Sequence, residues 1–304
     1  MTTARAHLVN PDADAYYHCM SRCVRRGWLC GEDPVSGRSY EHRKGWIESR
    51  ILLLCEVFTL ELCSYAVMSN HYHVVVHQRP SVAKQLSDRE VAQRWLRLCS
   101  RERQANADRE IELMMADEER LVELRKRLGS LSWFMKSLNE PISRAANRED
   151  GCKGRFWESR FVSVALLDEP SLVNCMAYVD LNPVRAGIVD EPTEAPHTSI
   201  NRRVRMASAN IVAPPLVDLD TLGITLTGYI DLLRWTAQHE AGVRVQPKRR
   251  AKQVLRQLNQ APLGWLDSTN KHRHRFRVYG GIEHLRRYAQ TLGQQWVKGI
   301  GVTT

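Results

Sequence analysis

The sequence predicts an α+β fold, and three observations carry that reading. A β-α-β-β run fills roughly the first eighty residues, a long helical stretch without proline or glycine follows, and a further strand and helix come after it. Residues 15–22, Ala-Tyr-Tyr-His-Cys-Met-Ser-Arg, read as a strand, and the Gly/Asp/Pro/Ser-rich run from Gly31 to Ser39 as a loop. Trp46, Ile47, Ile51, Leu54, Val57 and Phe58 recur at three- and four-residue spacing, which lays an apolar stripe on one helical face. Two strands follow, 61–68 and 71–78, separated by the turn-forming pair Ser69-Asn70. From about Ser87 to Leu128 the Glu/Arg/Leu/Ala-rich composition predicts two helices, the second partly acidic, inserted into the fold. A helix over about 131–147, a strand-like run from Arg160 to Leu166 and a helix from about Pro170 to Leu181 complete this part. That last helix should stop at Asn182, because Pro183 disfavours the α conformation in the residue before it. The expected organisation is one domain over 1–195, with the insertion at about 87–130, and a basic, mostly helical region over 196–304.

Composition narrows the function classes. With 304 residues, 43% hydrophobic and 26% charged, the chain has the balance of a soluble globular protein. No run approaches the ~18 apolar residues of a membrane span, and the first residues lack a signal peptide's apolar core. Eight cysteines are too sparse for a disulfide scaffold, so the expected setting is a reducing cytoplasm. The net charge of +10 is segregated. From Arg244 to Arg277 ten Lys/Arg stand against Asp267 alone, whereas 105–123 holds seven acids against Arg109 and Arg120. The basic part suits a polyanion such as nucleic acid, and the acidic stretch should face away from phosphate.

Two constellations could carry chemistry. His71-Tyr72-His73 lies in a predicted strand, where residues two apart share a face, so two imidazoles would point at one spot and could hold a divalent cation. A second His-x-His, His272-Arg273-His274, sits in the basic run, and spacing alone does not choose between them; the apolar neighbours Val74, Val75 and Val76 favour the first. In Tyr178-Val-Asp-Leu-Asn182, residues four apart stack on one helical face, so Tyr178 and Asn182 point together while Asp180 points elsewhere. A helical tyrosine more often serves packing, and Asn182 could be a helix C-cap.

In order along the chain, Tyr17-His-Cys-Met-Ser-Arg, Tyr65-Ala-Val-Met-Ser-Asn-His-Tyr-His-Val-Val-Val, Gly154-Arg-Phe-Trp-Glu-Ser-Arg-Phe and Tyr178-Val-Asp-Leu-Asn-Pro-Val-Arg-Ala-Gly resemble the REP-associated tyrosine transposases, single-tyrosine members of the HUH nuclease superfamily. The resemblance spans about residues 15–190. It implies a ferredoxin-like antiparallel sheet whose central strand carries the histidine pair, with the tyrosine helix beside it. Carried over by position, it makes Tyr178 the nucleophile and His71, His73 and Asn182 the ligands of Mg²⁺ or Mn²⁺. Asp180 departs from the histidine common in relatives, which removes no reacting group.

The implied activity is cleavage and rejoining of single-stranded DNA, at REP-like hairpins, through a 5′-phosphotyrosine with no nucleotide cofactor. An ordinary tyrosine, with a pKa of about 10, is ionised about one part in a thousand near neutral pH, equivalent to roughly 4 kcal/mol of activation that the site must supply. Arg22, Arg25, Arg26, Lys153, Arg155 and Arg160 are candidate DNA contacts, the last three bracketing Phe156 and Trp157, whose rings could stack on bases or belong to the core. Lys248, Arg249 and Arg250 could hold a hairpin stem through its phosphates. The alternative reading is a catalytically inactive hairpin-binding regulator; monomer and homodimer remain equally open.

Overall fold

The computed structural model describes residues 9–24, 30–32, 37–209, 211, 215–271, 277–295, 297 and 299–301. Strand β1 (Ala15–Arg22), helix α1 (His42–Val57), β2 (Leu60–Val67) and β3 (His71–Gln78) follow the anticipated order. Five short helices come next: α2 (Pro80–Gln85), α3 (Asp88–Leu96), α4 (Arg101–Ala105), α5 (Ala107–Met115) and α6 (Glu118–Leu128). Then come α7 (Leu131–Glu149), β4 (Val162–Leu166), α8 (Glu169–Asp180) and α9 (Asn182–Arg185). The C-terminal part supplies α10 (Ser199–Ser208), α11 (Leu226–Glu240), α12 (Arg249–Gln257), α13 (Pro262–Lys271), β5 (Val278–Gly280), α14 (Ile282–Thr291) and β6 (Gly299–Gly301). Among the described residues no helix is long and apolar enough to cross a membrane.

The sheet order is β2-β3-β1-β4-β5-β6. The first four strands pair antiparallel, and with α1 and α7 on one face they form the ferredoxin-like β-α-β-β-α-β arrangement of an α+β fold. Tyr17 and Cys19 of β1 and Tyr72, Val74 and Val76 of β3 pack there against Ile47, Ile51 and Leu54 of α1 and Phe134 and Leu138 of α7. The opposite face, with Val75, Val164 and Leu166, is covered by α8 and by helices of the C-terminal part. In β2 a register shift between Leu62 and Ser64 breaks the simple alternation, so that Leu62 and Tyr65 share one core while Cys63 and Ala66 enter the other.

Where two helices were expected over 87–128, there are four. Side-chain caps divide the stretch in place of glycine or proline: Ser87 forms a capping box with Glu90, Ser100 accepts from the Arg103 N–H, and Asp117 from the Arg120 N–H. Ile111, Met114, Leu121 and Leu124 anchor the insertion in the α1/α7 core, so the acidic stretch lies on the side of the sheet away from α8.

Beyond residue 195 the chain stays within the same core. β5 and β6 extend the sheet in parallel from β4, and Tyr229, Leu232, Trp265 and Tyr279 pack with α8. The fully buried Asp180 joins these parts: Oδ1 accepts from the Ser199 hydroxyl (2.6 Å) and the Ile200 N–H (3.1 Å), and Oδ2 from the Tyr229 hydroxyl (2.8 Å). Burial pushes its carboxyl up to about 6, against the three donors that favour the anion. Its folded value exceeds the unfolded one, so protonation of this group favours the native state as pH falls from about 7 towards 4. Tyr229→Phe removes one donor and should cost about 1–2 kcal/mol in urea unfolding, whereas Asp180→Ala also strands the Ile200 N–H and should cost roughly 3 kcal/mol or more.

Candidate functional site

The two-residue period of β3 divides its side chains. Because Tyr72, Val74 and Val76 face α1 and α7, His71 and His73 face the other side, where α8 runs. Their ring centres lie 4.9 Å apart, nearly perpendicular. Helix α8, capped by Asp168 through the Ser171 N–H, buries every residue from Ser171 to Asp180 except Tyr178, which is half-buried. The Tyr178 ring centre is 5.8 Å from that of His73. A phenol from a late helix and two imidazoles from an early strand thus meet.

A third imidazole joins them. Met20 of β1 pairs with His73 in the sheet, so His18, two residues earlier, projects from the same face. Its Nε2 lies 2.8 Å from His73 Nδ1, and its ring centre is 6.1 Å from that of Tyr178. The other ring nitrogen of His73, Nε2, is buried with no hydrogen-bond partner. His71 Nδ1 lies 2.6 Å from Asn70 Oδ1.

At the end of α8 the chain behaves differently from the expected stop at Asn182. After Leu181 a short turn, α9, opens at Asn182 with Pro183 inside it. Pro183 brings no N–H, and the last carbonyls of α8 take side-chain donors instead. The Asn182 amide donates to the Tyr178 carbonyl (2.8 Å), and so does the Arg185 guanidinium (2.8 Å). Asn182 therefore acts partly as a cap. Arg185, which the sequence reading did not single out, lies 4.9 Å from the centre of the Tyr178 ring and makes a two-pronged ion pair with Glu240 (2.7 and 2.8 Å). Its position seven residues after Tyr178, two helical turns on, is the signal that could have found it.

Burial holds the imidazoles in their neutral form. Desolvation lowers His18 and His71 to about 4, helped at His18 by the neighbouring His71 and at His71 by Arg22, and lowers His73 well below its usual value. Arg22, opposite His71 in the β1–β3 register, contributes to the depression of both His71 and His73, and its Nε is buried without a partner. Neutral imidazoles are the metal-binding form. Among the described residues no group of three or more His, Cys, Asp or Glu is disposed to hold a metal ion. A cation here would rest on imidazole and amide donors and on its own substrate and water.

The remaining candidates are dispersed. Arg25 and Arg26 lie outside the described residues, as do His272 and His274. Lys153, Arg155 and Arg160 are exposed between α7 and β4. Phe156 is buried, whereas Trp157 is half-buried with its Nε1 donating to the Asn139 carbonyl (2.9 Å). Lys248, Arg249 and Arg250 are exposed at the start of α12, with Arg250 4.0 Å from Asp231.

No protein-family model and no curated protein matches this sequence. Among solved structures, a REP-associated tyrosine transposase bound to a REP hairpin aligns with 72% of this chain and 92% of its own, at a TM-score of 0.40 and 11% identity.

Proton NMR titration of the imidazole rings should place the midpoints of His18 and His71 near 4 rather than near 6.5. The unfolded chain takes up these protons first, so the three imidazoles remove native stability as pH falls from about 6.5 towards 4.

Proposed function

We propose that this chain cleaves and rejoins single-stranded DNA, at hairpin-forming sites, with Tyr178 as nucleophile. The observation that carries the reading is the approach of the Tyr178 ring to His73, 5.8 Å between centres, with His71 4.9 Å beyond. In the proposed reaction Tyr178 Oη bonds to phosphorus as the bond to the 3′-oxygen breaks. The phenol proton leaves to solvent, and the departing 3′-oxygen takes one up. The 5′-phosphotyrosine keeps the bond energy, so a 3′-hydroxyl can reverse the step without a nucleotide cofactor.

The chain's own residues account for much of the environment. Arg185 sets a guanidinium over the Tyr178 ring, and Arg22 sets another beside His71, where a phosphate could be received. His71, His73 and Asn182 would hold Mg²⁺ or Mn²⁺, and the buried, unpartnered Nε2 of His73 fits that role. When bound, such an ion would neutralise charge at a non-bridging oxygen of the scissile phosphate. In this arrangement His73 Nδ1–H donates to His18 Nε2, which makes His18 the group that fixes the ligand's tautomer and orientation.

With labelled hairpin and single-stranded oligonucleotides in Mg²⁺ or Mn²⁺, wild-type protein should form a covalent adduct at a 5′ end. Tyr178→Phe should lose the adduct and keep DNA binding. Hairpin binding without an adduct from wild-type protein, across both metals and varied sequences, would replace this reading with that of an inert hairpin-binding regulator. Mn²⁺ titration followed by electron paramagnetic resonance should show binding lost in His73→Ala and weakened about 10- to 100-fold in His18→Ala.

A further inference from the structure

A groove of about 500 Å³ lies between α7 and residues 157–161, within the ~300–1,000 Å³ span of small-ligand sites. Its walls include Trp133, Lys136, Asn139, Ser143, Trp157 and Arg160. It belongs to the face of the sheet opposite α8, and its Asn139 and Trp157 part lies at the same end as the histidines, whereas Trp133 lies towards the Gln78 end of β3. A backbone bridge joins Trp157 to Cys23, the residue after Arg22, and Arg22 pairs with His71.

The groove wall is tied to that strand by side chains. Trp157 donates to the Asn139 carbonyl and sets its ring edge-on to Tyr72, 5.6 Å between centres. Asn139 accepts from the Tyr72 hydroxyl (2.6 Å) and donates to Ser21 Oγ (2.9 Å). Tyr72 stands between His71 and His73, so its hydroxyl joins the strand bearing those histidines to the groove.

The chemistry of the walls indicates the occupant. Trp157 supplies the aromatic wall, its ring held in place by a hydrogen bond and two edge contacts, whereas the Trp133 ring already carries the Arg127 guanidinium 4.1 Å from its centre. Lys136 and Arg160 are exposed cations, Lys136 lying 4.6 Å from the centre of the Trp133 ring. The acid on this wall, Glu140, is offset by Arg144 at 3.2 Å. Fixed aromatic surface beside exposed cations that have no ion pair among the described residues suits a base with its flanking phosphates, since every base has a face to stack and each nucleotide a charge to meet.

We propose that this groove receives one unpaired base of the DNA strand whose phosphate reaches Tyr178; the identity of that strand rests on the reading above. The strand crosses the end of the sheet at Arg22, with its scissile phosphate on the α8 side and a nearby base on the α7 side. With that base on the side of the attacked phosphate that ends in the 3′-hydroxyl, the groove would keep this hydroxyl near the phosphotyrosine for rejoining.

Oligonucleotides carrying 5-iododeoxyuridine at successive positions, photocrosslinked to wild-type protein and mapped by mass spectrometry, test this directly. Crosslinks should fall on Trp133 or Trp157 for a base close to the cleaved phosphate. Ser143→Trp, which fills the groove from α7, should remove them and weaken single-strand binding about tenfold, whereas Ser143→Ala should leave both unchanged. Crosslinks confined to peptides outside residues 131–161 would overturn the inference, whether or not Tyr178 forms an adduct. Crosslinks at Trp133 or Trp157 in the absence of any adduct would uphold the groove and dismiss the nuclease.

Discussion

Strand β3 sits between β1 and β2 and is covered on both faces, so each of its side chains must satisfy one of two very different surroundings. Tyr72, Val74 and Val76 meet a dry core under α1 and α7. His71 and His73 meet α8 near the end of the sheet, where a polar ring can be buried only if its nitrogens find partners or remain available to a ligand. A one-residue slip of register would exchange the two sets, placing imidazoles in the dry core and valines against Tyr178. The rest of the site, including the approach of His18 from β1, depends on that register.

The charges around the site reinforce this geometry. Two buried imidazoles and a half-buried one stay neutral while Arg22 and Arg185 lie close enough to depress His73, so the local field is positive without the histidines contributing a charge. Glu240 offsets Arg185 from the far side. The acidic insertion would oppose phosphate if it lay nearby, but the sheet separates it from α8, and exposed charges more than about 10 Å away are largely screened at 0.1 M salt. The exposed cations at the start of α12 belong instead to a helix packed on the α8 side.

Much of this was legible because it rests on short periods. The bounds of β1 and β3, the shared face of His71 and His73, and the separation of Asp180 from Tyr178 all follow from two- and 3.6-residue repeats. What was not legible depends on neighbours distant in sequence. His18 gains its place only from the β1–β3 register, whereas Arg185, two helical turns after Tyr178, lay within reach of the helical period. The bulge in β2 leaves a run of apolar residues that reads equally well with unbroken alternation. Strands β5 and β6 have three residues each, too few to show a period, and they exist because β4 offers an edge to β5, and β5 one to β6. Three of the four inserted helices were recoverable in principle from Ser87, Ser100 and Asp117, whose caps divide a stretch that composition alone leaves continuous, whereas α5 starts at Asn106 with no side-chain cap.

The C-terminal part bears on the chemistry through the rotation of one helix. Successive residues of an α-helix turn by about 100°, so Asp180 points roughly 200° away from Tyr178. Anchoring Asp180 on the buried side, by Ser199, Ile200 and Tyr229, therefore fixes Tyr178 on the side of the histidines. Helix α11 makes this anchor twice over, since Tyr229 near its start binds Asp180 and Glu240 at its end binds Arg185, which in turn holds the Tyr178 carbonyl. Two attachments on either side of the turn at Pro183 resist both rolling and fraying of the end of α8. A phenol that must stand in line with a phosphorus atom gains more from that restraint than from any single contact to its ring, because misalignment by about 1 Å can cost on the order of a hundredfold in rate.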